Sequence, residues 1–138
     1  MLIYTTKNIY MSTNFTIEFR GDYIHVRHAP DFEITPKSSV KLWSALAEKC
    51  KTFNCRRVFR EGKLRHRKMN WLEAYDTAIQ AANYVAGLRV ACCFENYEKD
   101  ELTEFYKTAA SNRGVEIEFF SDRQKALRWL GVENYESD

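Results

Sequence analysis

The chain has 138 residues, of which 45% are hydrophobic and 29% charged, with a formal net charge of +2. That is the length and balance of one ordinary soluble domain, able to bury about two thirds of its unfolded surface without a metal or disulfide staple. It excludes a chain too polar to fold and a globally basic nucleic-acid binder, and no run approaches the ~18 apolar residues of a membrane-spanning helix.

Residues 1–13 show no clear period and end in polar turn formers, so they are expected to lie outside the fold. Met11 opens MSTNFTIEF, which reads as a natural start, and residues 1–10 then read as an upstream extension. The domain is expected over residues 14–132, followed by an acidic tail at 133–138. Residues 15–20 alternate, with Phe15, Ile17 and Phe19 on one face, and predict a half-buried strand. Gly21 and Asp22 form a turn, and a second strand over residues 23–28 completes a hairpin. His25 and His28 fall on opposite faces of that strand, which argues against shared chemistry.

Thr35 caps a helix whose first residue is Pro36, and Asn54 ends it. Residues 55–60 form a short strand. Asn70 caps a second helix with Glu73 three residues later, and Trp71, Leu72, Tyr75, Ala78, Ile79 and Ala82 are its expected packing face. Residues 88–94, LRVACCF, read as a central strand covered on both faces. Asp100 caps a third helix, residues 115–120 form the last strand, and Ser121 with Gln124 forms a capping box on a final helix ended by Gly131. A hairpin followed by alternating helices and strands predicts an α/β domain with a mixed five-stranded sheet and right-handed βα units.

Between Arg56 and Lys68 the chain carries seven Lys or Arg against one acid, Glu61. This local charge of +6 follows the second half of a βα unit, where open α/β sheets bind ligands beyond the carboxyl ends of their strands. Four loops are expected on that rim, at residues 29–35, 61–69, 96–99 and 121–123. The candidate ligand-binding residues are Arg57, Arg60, Lys63, Arg65, His66, Arg67, Lys68 and Asn70. The arginines offer forked donors for an anion, and the helix start at Asn70 adds backbone N–H groups. Alternation sends Arg57 and Phe59 one way and Arg56, Val58 and Arg60 the other, so not all of them converge. Charge runs are most often simply solvated, and the loop also reads as that, or as a partner for the acidic stretch 95–104, whose net charge is −4. Nucleic acid is not among the expected partners, because the flanking aromatics Phe59 and Trp71 fit the core better than a stacking platform.

The order of elements, and above all the closing FFSDRQKALRWLG over residues 119–131, resembles the SpoIIAA-like branch of the STAS domains, related to bacterial anti-sigma-factor antagonists. The resemblance covers residues 15–132. It implies a non-enzymatic regulatory or binding module that takes a protein partner or a small anionic or amphipathic ligand. The family's phosphorylated Asp-Ser-Ser/Thr-Gly element would fall at residues 61–73. It is absent here, since no Ser or Thr occurs between Phe53 and Asp76.

Two other readings stay open. Cys92 and Cys93 could serve a cysteine-dependent enzyme with His66 as base, although adjacent strand residues face opposite ways and core packing is the simpler role. The oppositely charged loops could instead assemble a structural homodimer. No Cys-x-x-Cys metal spacing, GxGxxG, P-loop or GxSxG element is present, so neither metal nor cofactor is expected. Four cysteines without a secretory signal read as reduced thiols in a cytoplasmic protein. Trp43, Trp71, Phe105, Tyr106 and Trp129 are expected in the core.

Overall fold

The computed structural model describes residues 9–63 and 69–132. Six strands form one sheet in sequential order: β1 (Ile9–Met11), β2 (Phe15–Phe19), β3 (Ile24–His28), β4 (Arg57–Gly62), β5 (Arg89–Phe94) and β6 (Glu116–Phe120). The first three are antiparallel, and β3 to β6 are mutually parallel. Four helices complete the fold: α1 (Pro36–Phe53), α2 (Trp71–Val85), α3 (Glu101–Ser111) and α4 (Arg123–Leu130).

The mixed α/β sheet with alternating units agrees with the sequence, but it has six strands rather than five. The sixth comes from residues assigned to the extension: Tyr10 and Met11 pair with Ile17 and Thr16. A three-residue strand carries too little periodic pattern to be seen, and here the exposed edge of β2 supplies the template. Tyr10 also stacks on Phe15, with ring centroids 5.7 Å apart.

Strand order explains the layers. The parallel strands β3, β4, β5 and β6 succeed one another in a single direction, and crossovers of one hand then put every connecting helix on one face. Accordingly α1, α2 and α3 share the larger core, with Leu42, Trp43, Leu46, Ala78, Tyr106 and Ala110 against Ile17, Val26, Val58 and Val90. Helix α4 follows the last strand and packs on the opposite face, where Ala126, Leu127 and Leu130 meet Tyr23, Phe59, Ala91 and Cys93. The order never reverses, so the sheet has no switch-point crevice, and a site must be built at the strand ends.

The helix boundaries follow their caps. Thr35 Oγ1 accepts the Ser38 N–H at 3.0 Å, and Asn70 Oδ1 accepts the Glu73 N–H at 2.8 Å. Asn54 closes α1 in the left-handed region at φ 48°, a conformation Asn tolerates better than most residues. At α4 the cap is Asp122 rather than Ser121, its carboxylate accepting the N–H groups of Gln124 and Lys125. The packing face of α2 also differs from the expected one. Ala74, Thr77, Ala78, Ala81 and Val85 are buried, whereas Trp71 and Leu72 are 51% and 69% exposed. Helix α2 sits between α1 and α3 over the sheet, and only its small-residue stripe permits close approach on both sides. Of the aromatics expected inside, Trp43 and Tyr106 are buried, while Trp71 is not.

Candidate functional site

The last three residues of β4 divide their side chains between the two faces of the sheet. Arg60 enters the three-helix core, Glu61 turns to the α4 face, and Gly62 points back with no side chain. Register sets the neighbours of each. Val26, Arg60 and Cys92 align on one face, and Glu61 aligns with Arg27 and Cys93 on the other.

On the α4 face Glu61 is the centre of an ion cluster. It pairs with His25 Nε2, receives Arg123 Nη1 at 3.0 Å on both oxygens, and lies 3.5 Å from Arg27 Nη2. His25 lies flat on Phe59, with centroids 5.5 Å apart, and the Arg123 guanidinium carbon lies 5.2 Å from the same ring. Partial burial acts to raise the Glu61 pKa, but the hydrogen bond and charge of His25, with the two arginines, hold it below the ordinary value. This cluster has its anion built in.

On the other face Arg60 is 2% exposed. Its Nε donates to His28 Nε2 at 2.7 Å, and its guanidinium carbon lies 5.3 Å from the centroid of the Trp43 ring. His28 packs on Phe32 and Phe94. Burial, reinforced by the Arg60 charge, lowers the His28 pKa well below its usual value, so the imidazole is neutral. Burial also pushes the Tyr106 phenol up, while the Arg60 charge acts on it in the opposite sense. Arg60 also hydrogen-bonds the Tyr106 phenol, while Arg60 Nη2, His28 Nδ1, Trp43 Nε1 and Ser39 Oγ are buried without a partner. Each unsatisfied buried polar atom costs about 1–3 kcal/mol, so four on one face are a substantial expense without a packing return. Gly62 is required here: a Cβ would lie 2.7 Å from His28 Cβ and 2.8 Å from His28 Nδ1.

The residues singled out from sequence do not form one group. Arg57 begins β4 at the opposite rim, where its Nη1 donates to the Gly131 carbonyl at 2.8 Å and closes the end of α4. Arg60 is in the core. Lys63 is exposed, and Asn70 is engaged as the α2 cap. Arg65, His66, Arg67 and Lys68 lie outside the described residues. Sequence reasoning passed over His28, Trp43, Tyr106 and the Glu61 cluster. One signal was present: alternation places Arg60 on the same face as Val58, a charged residue in an apolar row.

Cys92 and Cys93 do face opposite cores. Burial pushes both thiols up to about 11, and Cys50 up to about 12, so the reactive thiolate is disfavoured at all three. Among the described residues no group of three or more His, Cys, Asp or Glu is placed to hold a metal ion, and no helix is long and apolar enough to cross a membrane. An open groove of about 610 Å³ lies between the first turns of α2 and α3, lined by Trp71 and Phe105 with Lys99, Asp100, Glu101 and Glu104. A scan against protein-family models and a search of curated proteins found no match for this chain.

Proposed function

We propose that the domain is a non-enzymatic regulatory or binding module of the STAS/SpoIIAA-like type, cytoplasmic, that engages a small ligand or a protein partner at the carboxyl rim of its parallel strands. One observation carries this reading. His28, Arg60 and Glu61, all polar and all at least half-buried, end β3 and β4 at that rim, while Ile24, Val26, Val58 and Phe59 earlier in the same strands are fully buried and apolar. Stability alone gives no reason for a buried arginine, because an apolar side chain of similar volume is often as stable or more so. The leading hairpin, the consecutive parallel strands and the packing of Leu127 and Leu130 from the closing helix support the resemblance. The raised thiol pKa values weigh against cysteine chemistry.

The test is a thermal-shift screen against nucleotides, phosphoinositides, fatty acids and simple anions, with a pull-down in parallel. Wild type would be compared with Arg65→Glu/Arg67→Glu. A ligand that binds only the native state raises the midpoint by mass action. A hit lost in the variant puts recognition on the basic loop; a hit retained puts it among the strand-end residues. No hit and no captured partner would end this reading.

A further inference from the structure

The two faces at the end of β4 are built on opposite principles. Around Glu61, every positive group meets a carboxylate. Around Arg60 there is none: the carboxylates seen pairing with arginines among the described residues are Glu18, Glu61 and Glu116, and their partners are Arg20, Arg27, Arg89 and Arg123.

The hydrogen-bond direction at His28 sharpens the contrast. A guanidinium only donates, so His28 Nε2 must accept from Arg60 Nε, and the neutral imidazole then carries its hydrogen on Nδ1. That Nδ1–H is buried without a partner. Arg60 Nη2 and Trp43 Nε1, also buried and unpartnered, are donors that cannot accept. The hydroxyls of Tyr106 and Ser39 complete the set, and each can donate or accept. Arg60 links these groups: it bonds His28, lies over the Trp43 ring, and its charge reaches the Tyr106 phenol. Ser39 is one turn before Trp43 on the same buried face of α1. The result is three obligatory donors, two hydroxyls able to donate or accept, one positive charge and no carboxylate. Among the described residues Glu61 gives His25, Arg27 and Arg123 a carboxylate, and no carboxylate is seen pairing with Arg60.

We propose that the Arg60–His28–Trp43–Tyr106 cluster binds the head group of a small organic monocarboxylate, whose oxygens accept from Arg60 Nη2 and His28 Nδ1–H. The inference rests on the rim-binding reading and names its ligand class. One uncompensated charge calls for a monoanion rather than a phosphate dianion. Phe32 and Phe94, which flank His28, supply apolar wall for the attached carbon chain. The donor atoms are closed off from solvent, so entry requires side chains at the rim to part, and association is slower than for an open site.

The test follows the ¹⁵N signals of the His28 ring and the Arg60 side chain in the full chain, titrated with acetate, octanoate and inorganic phosphate. Thermal midpoints are read in parallel for wild type and Arg60→Met. Acetate and octanoate are expected to shift both signals, with octanoate more than ~10-fold tighter because it buries its chain. At about 100-fold excess over Kd the midpoint should rise by about 8 °C, and Arg60→Met should lose that response. A shift by phosphate alone would overturn the carboxylate assignment. Stabilisation that persists in Arg60→Met, or signals that move at Lys63 and Asn70 instead, would overturn this site and leave rim binding standing. No response to any probe at tens of millimolar overturns the proposal, while the pull-down decides separately whether the rim takes a protein. The wild-type signals decide the matter even if Arg60→Met does not fold.

Discussion

Replacing Glu61 by glutamine should destabilise the domain in a pH-dependent way. The carboxylate side chain is only 19% exposed and faces His25, Arg123 and Arg27. Arg27 is half-exposed and 3.5 Å away, so its share is small after solvent screening. The weight falls on His25 and on the double contact from Arg123. Charge-assisted hydrogen bonds are worth about 1.5–3 kcal/mol, and removing the Glu61 charge should cost ~2–3 kcal/mol in Glu61→Gln at pH 7. The sign in pH follows from the lowered Glu61 pKa. A carboxylate whose folded pKa lies below its unfolded value contributes stability above the unfolded value, near 4.5, and loses it as pH falls through the folded one. Urea unfolding of both proteins from pH 7 down to pH 3 measures this. The gap between wild type and Glu61→Gln should be full at pH 6–7 and narrow progressively as pH falls below about 4.5. A gap that stays constant across that range, or no gap at pH 7, would refute the ion-cluster account.

Three more outcomes follow from the packing and the thiols. Gly62→Ala should cost about 1–3 kcal/mol in urea unfolding, since its Cβ would press on the buried His28 ring 2.7–2.9 Å away; a neutral result would mean that β4 can shift freely there. Trp71→Ser should change stability by less than about 0.5 kcal/mol, whereas Ala78→Leu should cost ~1–3 kcal/mol, and the reverse order would restore the aromatic face of α2 to the core. At pH 8 a thiol reagent should modify Cys50, Cys92 and Cys93 at least ~100-fold more slowly in the folded protein than in urea; fast labelling of Cys92 or Cys93 would revive a thiol mechanism.

What was legible in the sequence is what depends on near neighbours in the chain. Thr35, Asn70 and Asp100 announce helix starts because a cap needs only its own side chain and an N–H two or three residues on. Alternation correctly split Cys92 from Cys93 and His25 from His28, because the strand period is a property of the backbone. Where two patterns share one helix, as the alanine and aromatic stripes of α2 do, local reading has no means of choosing. The narrow space between α1 and α3 makes that choice. The same limit applies at the site. A run of basic residues attracted notice by its density, yet Arg57 and Arg60 ended at opposite ends of β4. The groups that define each face, His28 with Arg60 and Arg123 with Glu61, are 32 and 62 residues apart in the chain. By itself the sequence determined every element but β1, the caps of the first three helices and the alternation of side chains along each strand. Tertiary structure alone decided the strand order, the six-strand count and which buried charge received a counter-charge, because those depend on contacts that exist only once distant strands are side by side.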